Sequence, residues 1–525
     1  MASDVRTWVA ERPAGPTCPN PLAELIRDRA VRSGGKDYLV PARGGRARSF
    51  RELDDAVRRW SAYLDAGPWS ADAKVGLCIA DPVEFGLAFL AIVASGRWAA
   101  PLDPDLPAAG TGGLAASATR LGLAEVFADR NAPRRWPLDW FDVHDLPAVT
   151  PSRAAPARDT RPSGTGAGGV LLASSGTTGS PKVMVLTVKQ LLYTATLIAG
   201  HHQLSPSDRG FNPLPLFHIN AEVVGLLAPL VAGGSVVLDD RFHRTGCWAL
   251  MGELQVTWIN AVPAILSHLA HPGADESVPS AIRFARSASA PLPAETLARF
   301  EAGVGIPVLE TYGMTEACSQ IAANPLVGVR KPGSVGQPFG VQLRIAPGDA
   351  PDEDGPRVGE VEIRGPSVIT AYADVGYEHR FTGDGWLRTG DLGYLDTDGY
   401  LFLVGRVDDV INRSGEKIFP REIEELMLSD PDVAAAAVVG ADDPVLGQVP
   451  VGYLVLRPGD GGAAGEAASG VVQRVRLAVD AALPRTKRPA ALHVVASLPI
   501  GRTGKLQRRA IRAHPLLGAP SASSR

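Results

Sequence analysis

The sequence is poor in cysteine, which limits its covalent and metal chemistry. Its four cysteines, Cys18, Cys78, Cys247 and Cys318, are far apart in a chain of 525 residues. None belongs to a C-x-x-C pair or has a histidine at metal-binding spacing, so the pattern contains no zinc or redox motif. A disulfide framework is not expected in so long and cysteine-poor a chain, and we predict ordinary reduced thiols.

Strong net charge and long apolar runs are also absent. The formal net charge of −4 gives no general attraction to nucleic acid or to an anionic membrane surface. No apolar run approaches the ~18 residues of a membrane-spanning helix. The stretch MASDVRTWVAERPAG carries charges where a secretory signal needs an apolar region. We therefore predict a cytoplasmic protein with no nucleic-acid and no membrane partner.

Lysine is scarce as well, since only eight of the 52 lysines and arginines are lysine. Because arginine is the default cation of this chain, a lysine inside a motif is more informative than usual.

What the sequence does contain is a long alternation of strand and helix patterns. Ser49 and Glu52 form an S-x-x-E capping box at the start of an amphipathic helix. Apolar strands such as AKVGLCIA and helices such as DPVEFGLAFLAIVASG then recur, which predicts an α/β fold with strands buried on both faces. Between about 355 and 405, RVGEVEIRG and GYLFLVGR predict antiparallel β structure.

A smaller α/β unit follows. Its predicted helices are PREIEELMLS and GVVQRVRLAVDAAL, and its predicted strands are AAAAVVGADD, PVGYLVLRP and ALHVVASLP. The stretch GDGGAAGEAASG is predicted to be a flexible surface loop, and GAPSASSR a frayed tail. We place a large N-terminal domain at 1–406 and a small C-terminal domain at 407–525.

One short stretch, ASSGTTGSPK at residues 173–182, is suited to holding an anion. Its glycines let backbone N–H groups converge, its hydroxyls add donors, and Lys182 adds a full charge. A proline before the lysine distinguishes it from the Walker pattern. The loop suits a polyphosphate, and the alternative is a polar surface loop.

A second stretch, LETYGMTEACSQ, combines an aromatic ring with a hard oxygen ligand. Tyr312 has the flat ring needed to stack on a base, Thr315 offers a hydroxyl, and Glu316 suits Mg²⁺. The alternative is a strand end with a capping threonine.

Two further stretches complete the pattern. Asp391 lies in a T-G-D turn, where its carboxylate suits the hydroxyls of a ribose, and Arg406 ends a strand. Lys505 lies in a glycine-flanked loop before a basic helix. The alternatives are ordinary turn chemistry and an exposed lysine.

These four segments, in this order and spacing, resemble the adenylate-forming superfamily, which contains acyl-CoA synthetases, firefly luciferases and nonribosomal peptide adenylation domains. The resemblance covers roughly residues 20–515. It implies a large N-terminal domain of two stacked α/β subdomains plus a distorted β-barrel, with a small mobile C-terminal α+β domain. It also implies that ATP activates a carboxylate as an acyl-adenylate with release of pyrophosphate, after which a thiol takes the acyl group.

The resemblance implies a role for each matching residue. The phosphate loop would comprise Ser174, Ser175, Gly176, Thr177, Thr178, Gly179 and Lys182. The adenine contacts would come from Tyr312 and Gly313 on one side and Ser289, Ala290 and Pro291 on the other. Thr315 would contact the α-phosphate, Glu316 would hold Mg²⁺, Asp391 would bind the ribose with help from Arg406, and Lys505 would bridge the carboxylate and the α-phosphate.

The same resemblance implies a moving small domain and a thiol acceptor. Asp408 matches the hinge about which that domain would rotate between half-reactions. Gly415 would then lie against a pantetheine arm, although structural need alone also explains a glycine there. The acceptor would be CoA or the phosphopantetheine of a discrete carrier protein.

The segment PLFHINAEVVGLLAPLVAGG resembles the helix that lines the acyl pocket. His218 stands where α-amino-acid adenylation domains have an aspartate, which argues against an α-amino acid and makes His218 a catalytic candidate; the alternative is a packing histidine that gates the site. Glu222 lies four residues on, at i+4 on the same helical face. A carboxylate is costly to bury unpaired, so it indicates a donor on the substrate or a nearby protein cation. The alternative is that Glu222 pairs with an arginine outside the pocket.

The remaining positions that match pocket walls are Asn260, Ser287, Thr311 and Ser319. This lining is polar, which counts against a long fatty acyl tail. The first reading is an ATP-dependent acid–thiol ligase for a small polar or aromatic carboxylic acid, in secondary metabolism, acting as a monomer or homodimer. The alternatives are an adenylating enzyme that activates nitrite for diazotisation or passes the acyl group to an amine, and an inactive nucleotide-binding homologue.

Overall fold

The computed structural model describes residues 20–67, 69–70, 72–106, 113–123, 125–129, 139–142, 168–174, 182–273, 276–346, 356–457, 464–501 and 506–513. Within them, two α/β layers form the bulk of the N-terminal part, a half-barrel follows, and a small α/β unit ends the chain. No helix in these ranges has both the length and the apolar content to cross a membrane.

Strands occur in both the large N-terminal part and the C-terminal unit. Those of the large part are β1 (Asp37–Pro41), β2 (Arg48–Ser49), β3 (Lys74–Cys78), β4 (Trp98–Pro101), β5 (Glu125–Ala128), β6 (Asp139–Asp142), β7 (Gly169–Ser174), β8 (Lys182–Thr187), β9 (Arg209–Asn212), β10 (Ser235–Leu238), β11 (Trp258–Ala261), β12 (Phe284–Ser287), β13 (Val308–Tyr312), β14 (Ala322–Ala323), β15 (Gln337–Pro338), β16 (Gln342–Ile345), β17 (Gly359–Arg364), β18 (Leu387–Leu395) and β19 (Leu401–Arg406). Those of the C-terminal unit are β20 (Ile411–Arg413), β21 (Glu416–Ile418), β22 (Val433–Asp443), β23 (Gly447–Leu456) and β24 (Ala491–Val494).

The α-helices are α1 (Pro21–Ser33), α2 (Phe50–Ala66), α3 (Pro82–Ala94), α4 (Leu114–Leu121), α5 (Val188–His201), α6 (Ala228–Ala232), α7 (Cys247–Glu253), α8 (Pro263–Leu269), α9 (Ala294–Val304), α10 (Pro420–Leu428), α11 (Ala464–Ala482) and α12 (Arg508–Ala513). A π-helix spans Ala221–Leu227, and short 3₁₀ turns span Thr315–Ala317, Glu378–Arg380, Val407–Asp409 and Arg485–Lys487.

Two sheets carry the α/β part. A six-stranded sheet has the order β6-β5-β3-β4-β7-β8, and a nine-stranded sheet has the order β15-β14-β13-β12-β11-β9-β10-β1-β2. The run from β13 to β1 is parallel, as the buried apolar strands predicted, whereas β2, β14 and β15 pair antiparallel. The carboxyl ends of β9, β11, β12 and β13 therefore meet at one edge, which is where open α/β sheets bind ligands.

Helix α3 explains how the two sheets share one core. It contacts β3 and β4 of the six-stranded sheet and β1 of the nine-stranded sheet. Every residue from Phe85 to Ala94 is buried. A helix covered on all sides needs no polar face, which is why this segment is apolar throughout. Burial of each large side chain such as Phe89 or Ile92 contributes about 1.5–3 kcal/mol.

The local predictions can be compared element by element. The capping box at the start of α2 is confirmed, because Ser49 caps the Glu52 N–H and the Glu52 side chain accepts from the Ser49 N–H. The antiparallel region is confirmed as the four-stranded half-barrel β16-β17-β18-β19. The described cysteines, Cys78, Cys247 and Cys318, are buried free thiols, and Cys18 lies outside the described residues.

One local prediction was wrong. The stretch GDGGAAGEAASG was expected to be a loop throughout, but α11 begins at Ala464 and includes its second half. The alanines and the glutamate there favour helix strongly enough to extend α11 through two glycines. The expected frayed tail lies outside the described residues. The division at residue 406 stays a prediction.

Candidate active site

Asp391 sits at the centre of the first cluster, held from two sides. Tyr312, at the end of β13, donates its hydroxyl to Oδ2 of Asp391 at 2.5 Å. Arg406 faces Asp391 across the β18–β19 ladder and donates from Nη1 to Oδ1 at 2.7 Å. Burial and the Asp391 charge raise the pKa of Tyr312 well above its ordinary value, so its hydroxyl stays protonated. The structure thus brings together three residues that the sequence placed in separate segments.

Glu316 forms the second cluster with an aromatic partner that the sequence did not reveal. The Thr315–Ala317 turn buries Glu316, and Tyr372 donates its hydroxyl to Oε1 of that carboxylate at 2.9 Å. Lys182 lies above the rings of Tyr372 and Tyr377, with Nζ 5.3 Å and 4.9 Å from their centroids. Burial lowers the pKa of Lys182, Arg380 and Arg406 lower it further, and Glu316 opposes them. An oxygen ligand beside a lysine in this setting suits a metal-bound phosphate.

Arg380 joins these two clusters, and sequence reasoning missed it. Gly390 has φ +76°, and a Cβ built there would lie 3.2 Å from Nη1 of Arg380 and 3.2 Å from Nη2 of Arg406. Both guanidinium groups therefore flank the same glycine. The Nε of Arg380 is buried, and none of the residues that the structure describes accepts a hydrogen bond from it. Because Arg380 lies in a short 3₁₀ turn, no periodicity distinguished it from a surface arginine.

A glycine permits the tight backbone approach next to Tyr312. A Cβ built at Gly313 would lie only 1.3 Å from the carbonyl oxygen of Ser319. The backbone of the following turn therefore closes against this position, with Ser319 at φ +94°. Thr315 is half-buried in the same turn, and its carbonyl accepts from the Cys318 N–H at 3.0 Å.

Part of the expected phosphate loop lies outside the described residues, namely Ser175, Gly176, Thr177, Thr178 and Gly179, and so does Lys505. The ends of that loop are described. Ser174 closes β7 and pairs with Lys182, the first residue of the antiparallel β8. The N–H of Val183 donates to Oδ2 of Asp374 at 2.8 Å, which ties this end of β8 to the segment that carries Tyr372.

Of the residues expected to line the acid pocket, Asn260, Ser287 and Thr311 are buried at the carboxyl edge of the nine-stranded sheet. Ser319 is buried in the turn after β13, and His218 is half-buried before the π-helix. The Nδ2 of Asn260 donates a hydrogen bond to Oδ1 of Asn212 at 2.8 Å. Thr311 donates its hydroxyl to the Ser287 carbonyl at 3.0 Å. Among the described residues, the Oγ of Ser287 has no hydrogen-bond partner. These side chains are polar and buried, and their contact with an acid stays a prediction.

The segment after β12 was expected to flank the base. Ser289 has φ +72°, and its Oγ accepts from Nδ2 of Asn220 at 3.4 Å. Ala290 is half-buried and Pro291 is exposed. The positions are therefore next to the pocket residues, and their contact with a base stays a prediction.

Glu222 is buried more completely than the sequence suggested. It has no exposed surface, and no described residue forms a hydrogen bond with either of its carboxyl oxygens. Burial raises its pKa well above the ordinary value, which favours the neutral acid. The alternative in which Glu222 pairs with a protein arginine finds no support among the described residues.

The backbone around Glu222 differs from the prediction. Its N–H donates to the His218 carbonyl at 3.1 Å, which keeps the expected i+4 relation, but Ala221–Leu227 is a π-helix and not an α-helix. Gly225 packs so closely on Asn212 that a Cβ built there would lie 2.9 Å from its Cγ, so the wider helix accommodates the sheet edge. π-helical segments are frequent at functional sites.

Arg286 is the second functional candidate that sequence reasoning missed. It is only 1% exposed, and its Nη1 donates to Oδ1 of Asn220 at 3.0 Å and Oδ1 of Asn260 at 3.1 Å. Burial lowers its pKa to about 9, so it remains charged at neutral pH. The sequence contained one signal for Arg286. An arginine stands next to Ser287 in a segment whose other residues are small or apolar, which is unusual for a buried strand.

The small unit holds the two remaining expected residues. Asp408 lies in the Val407–Asp409 turn between β19 and β20. Gly415 has φ +90°, and its N–H donates to Oδ1 of Asn412 at 2.9 Å. That backbone conformation favours glycine by itself. Rotation about Asp408 and contact of Gly415 with pantetheine both stay predictions.

One other cluster among the described residues has metal-ligating atoms close together, namely Asp239, Asp240 and His243, within 4.8 Å of one another. Arg43 already donates to Oδ2 of Asp239 at 3.3 Å. We therefore regard Glu316 as the better candidate for magnesium.

Comparison with known proteins now adds to this geometry. Residues 26–373 match the family model "AMP-binding enzyme", and residues 422–505 match "AMP-binding enzyme C-terminal domain". The chain is 39% identical to a sulfoacetate–CoA ligase of Cupriavidus necator over 514 residues, or 94% of this chain and 97% of the relative. It is 34% identical to an oxalate–CoA ligase of Arabidopsis thaliana over 517 residues, or 93% and 95%.

Solved structures agree. The o-succinylbenzoate–CoA synthetase of Bacillus subtilis in complex with its acyl-adenylate intermediate superposes with a TM-score of 0.78 at 28% identity, covering 95% of this chain and 98% of that one. The same enzyme with ATP and magnesium gives a TM-score of 0.77, covering 94% and 99%. The fold predicted from the sequence is thereby confirmed.

Proposed function

The chain belongs to the AMP-binding enzyme family and is an AMP-forming ligase of the acyl-CoA synthetase type; on this premise we propose that it joins a small polar carboxylic acid to CoA through an acyl-adenylate. The observation that carries the proposal is the convergence of Lys182, Arg380 and Arg406 on two carboxylates, Glu316 and Asp391. Three grouped cations, with Lys182 buried and the two arginines half-buried, form an anion site, and a nearby oxygen ligand suits magnesium.

In this proposal Asp391 and Glu316 bind different parts of the magnesium–nucleotide complex. The carboxylate of Asp391 still has acceptor capacity after its bonds to Tyr312 and Arg406, and so it can take ribose hydroxyls. Among the described residues, only Oε1 of Glu316 carries a hydrogen bond, which leaves Oε2 for the metal. Magnesium, when bound, neutralises charge on the phosphate oxygens.

The chemistry needs positioning and charge more than acid–base catalysis. The acid is already ionised near pH 7, so its oxygen attacks the α-phosphorus without an enzyme base. The bond from that phosphorus to the bridging oxygen breaks, and pyrophosphate leaves. In our proposal Lys182 and Arg380 stabilise the leaving charge, and Lys505 neutralises the α-phosphate oxygens. The CoA sulfur then attacks the acyl carbon, the bond to AMP breaks, and the thiol proton passes to solvent.

Two features support a small acid. The described pocket residues are polar and buried, with Asn260, Ser287 and Thr311 near one another at the sheet edge. The two relatives are named for sulfoacetate and oxalate, which are short and carry two acidic groups each. We propose CoA as the acceptor because the relatives are CoA ligases, and a discrete carrier protein is the alternative to test. A role in secondary metabolism stays a prediction from the family resemblance.

The test uses the full chain with ATP, magnesium and a panel of small hydroxy, amino, aryl, dicarboxylic and sulfo acids, with nitrite included. Pyrophosphate release is measured with and without CoA, and products are identified by mass spectrometry. AMP and an acyl-CoA are expected. Diazotisation products from nitrite would instead favour the alternative adenylating enzyme, and ATP binding without any pyrophosphate would favour an inactive homologue.

A variant pair checks the assigned metal ligand. Glu316→Gln should reduce pyrophosphate release at least about a hundredfold, because it weakens a charged ligand at the reaction centre. Glu378→Gln removes an exposed carboxylate nearby and should change little. Equal rates in the two variants would contradict the role of Glu316.

A further inference from the structure

Arg286 is a buried cation whose hydrogen bonds go to amides. Its Nη1 donates to the side-chain oxygens of Asn220 and Asn260, and its buried Nε has no acceptor within the described part of the chain. Its burial is nearly complete, at 1% exposure. No described carboxylate forms an ion pair with it. A guanidinium removed from water normally requires a compensating negative charge, and two amide dipoles supply only part of it.

The groups around Arg286 do not provide the missing charge. The imidazoles of His201 and His202 are close enough for Arg286 to lower their pKa values, after the larger effect of burial. They are therefore neutral near pH 7. Glu222 is two residues after Asn220, which Arg286 contacts, but burial raises the pKa of Glu222 and favours its neutral form. Among the described residues, no negative charge balances the Arg286 guanidinium.

Arg286 also lies where an acid substrate would extend from the nucleotide. It is on β12, directly beside β13, which ends in Tyr312 and leads to the Glu316 turn. Asn260 lies opposite Arg286 on β11, and Asn212 is on β9, the next strand out. Strands in a sheet are about 4.8 Å apart, so this polar row runs roughly 5 to 14 Å from β13. Asn220 connects the row to Ser289 of the segment expected to flank the base.

We propose that Arg286, with Asn220 and Asn260, binds a second anionic group of the acid, so that the substrates are small acids with a carboxylate to be activated and a further carboxylate or sulfonate. This inference rests on the proposed function and names the substrate class. The unpartnered Nε and the Nη groups of a guanidinium form a planar fork that matches the oxygens of either group. The reacting carboxylate faces the nucleotide at β13, and the second anion completes the charge balance at Arg286.

The experiment compares acids that differ only in the second charge. The pairs are sulfoacetate with methylsulfonylacetate, and each C2 to C6 dicarboxylate with its monomethyl ester. We measure kcat and KM by pyrophosphate release with CoA. The wild type should prefer the doubly charged member of at least one pair by about a hundredfold, which is the size expected when a buried charged donor loses its acceptor.

Variants then assign the preference to Arg286. Arg286→Met should lower kcat/KM for the dianion about a hundredfold, mainly through KM, and should leave the neutral-headed partner within about threefold. Arg286→Lys should retain part of the preference. Arg283→Met is the matched control, because Arg283 directly precedes β12 but pairs with Asp208 outside the polar row. It should keep the wild-type preference.

Asn220→Asp is a second variant, in case Arg286→Met does not fold. It keeps the Arg286 side chain in place and neutralises its positive charge. A carboxylate at that position would pair with Arg286 and should abolish the preference for dianions. Thermal unfolding with and without ATP identifies variants that fold. A wild type that uses the neutral-headed acids equally well, or an Arg286→Met variant that loses both members of a pair alike, overturns this inference. If no acid supports pyrophosphate release in the wild type, the proposed function fails instead.

Discussion

Tyr312 and Asp391, 79 residues apart, are joined by a hydrogen bond of 2.5 Å between two buried side chains. This contact joins the carboxyl end of β13 to the half-barrel strand β18. The ring that was expected to stack on a base and the carboxylate that was expected to hold a ribose are thus positioned by each other.

The first prediction removes that bond. Tyr312→Phe keeps the ring and leaves one oxygen of Asp391 without its buried donor, which costs about 1–3 kcal/mol. The KM for ATP should rise about tenfold, while the KM for the acid changes little. Tyr394→Phe is the control. Tyr394 lies on β18, the strand that carries Asp391, but its ring stacks on Phe402. A rise confined to the acid KM would contradict the nucleotide role of Tyr312.

The second prediction concerns Arg380. Arg380→Met should raise the KM for ATP about tenfold, because a charged donor near the phosphates is lost. It should also raise the pKa of Lys182, since Arg380 lowers that pKa. If Lys182 binds the phosphates as we propose, ATP binding requires its protonated form and declines as pH rises through its pKa, so the alkaline decline should move to higher pH.

The control for this experiment is Arg364→Met, which removes an exposed arginine that donates hydrogen bonds to the Gln342 side chain on the neighbouring strand β16. Its pH profile for ATP binding should match the wild type. The role of Arg380 is disproved by an unchanged alkaline limb together with an unchanged KM for ATP in Arg380→Met.

The third prediction compares two glycines with nearly the same backbone. Gly390 has φ +76° and Gly385 has φ +81°, but only Gly390 adjoins the guanidinium groups of Arg380 and Arg406. Alanine at either position should cost about 1–2 kcal/mol of unfolding free energy, from the left-handed conformation. Only Gly390→Ala should also weaken ATP binding, by displacing the two guanidinium groups. Thermal unfolding and ATP titration of both variants provide the measurement.

The fourth prediction follows from the buried carboxyl of Glu222. Its pKa is raised on folding, so the folded state holds the proton more tightly and loses stability as pH rises above the ordinary value of 4.5. Glu222→Gln removes this titration, so its melting temperature relative to the wild type should increase from pH 5 to pH 8. A shift in acid preference is also expected. An unchanged preference would place Glu222 outside the acid pocket.

The fifth prediction separates the half-reactions. Lys505→Ala should abolish adenylation, because the α-phosphate charge loses its neutralising group, while thioester formation from a supplied acyl-adenylate largely survives. Arg509→Ala, on the helix that follows, is the control and should retain both steps. Equal loss of both half-reactions in Lys505→Ala would contradict the assigned role.

Much of the framework follows from local sequence. The S-x-x-E pattern at Ser49 and the apolar runs of the parallel strands are signals that neighbouring residues carry by themselves. The four motif segments likewise identify Tyr312, Glu316, Asp391 and Arg406 as a set, and the fold places Tyr312, Asp391 and Arg406 in direct contact.

What the sequence did not reveal depends on contacts between distant segments. Arg380 can be recognised as a site residue only because it adjoins Gly390 in another element. Tyr372 can be recognised only because it donates to Glu316. In the sequence Arg286 is a single cation in a strand. Its role depends on contacts with Asn220 and Asn260, which only the fold brings next to it. The π-helix at Glu222 arises from packing against the sheet edge, which no local periodicity records.

Helix α3 determines which fragments of the N-terminal part can fold and which substitutions its core tolerates. The continuous core that surrounds it contains side chains from both sheets, so a fragment with only one sheet would expose an apolar helix to water. Such fragments should aggregate rather than fold, and the two sheets should melt in a single cooperative transition. The segment from Phe85 to Ala94 therefore has no solvent-facing position at which mutations can accumulate cheaply, and it should tolerate only apolar exchanges of similar volume.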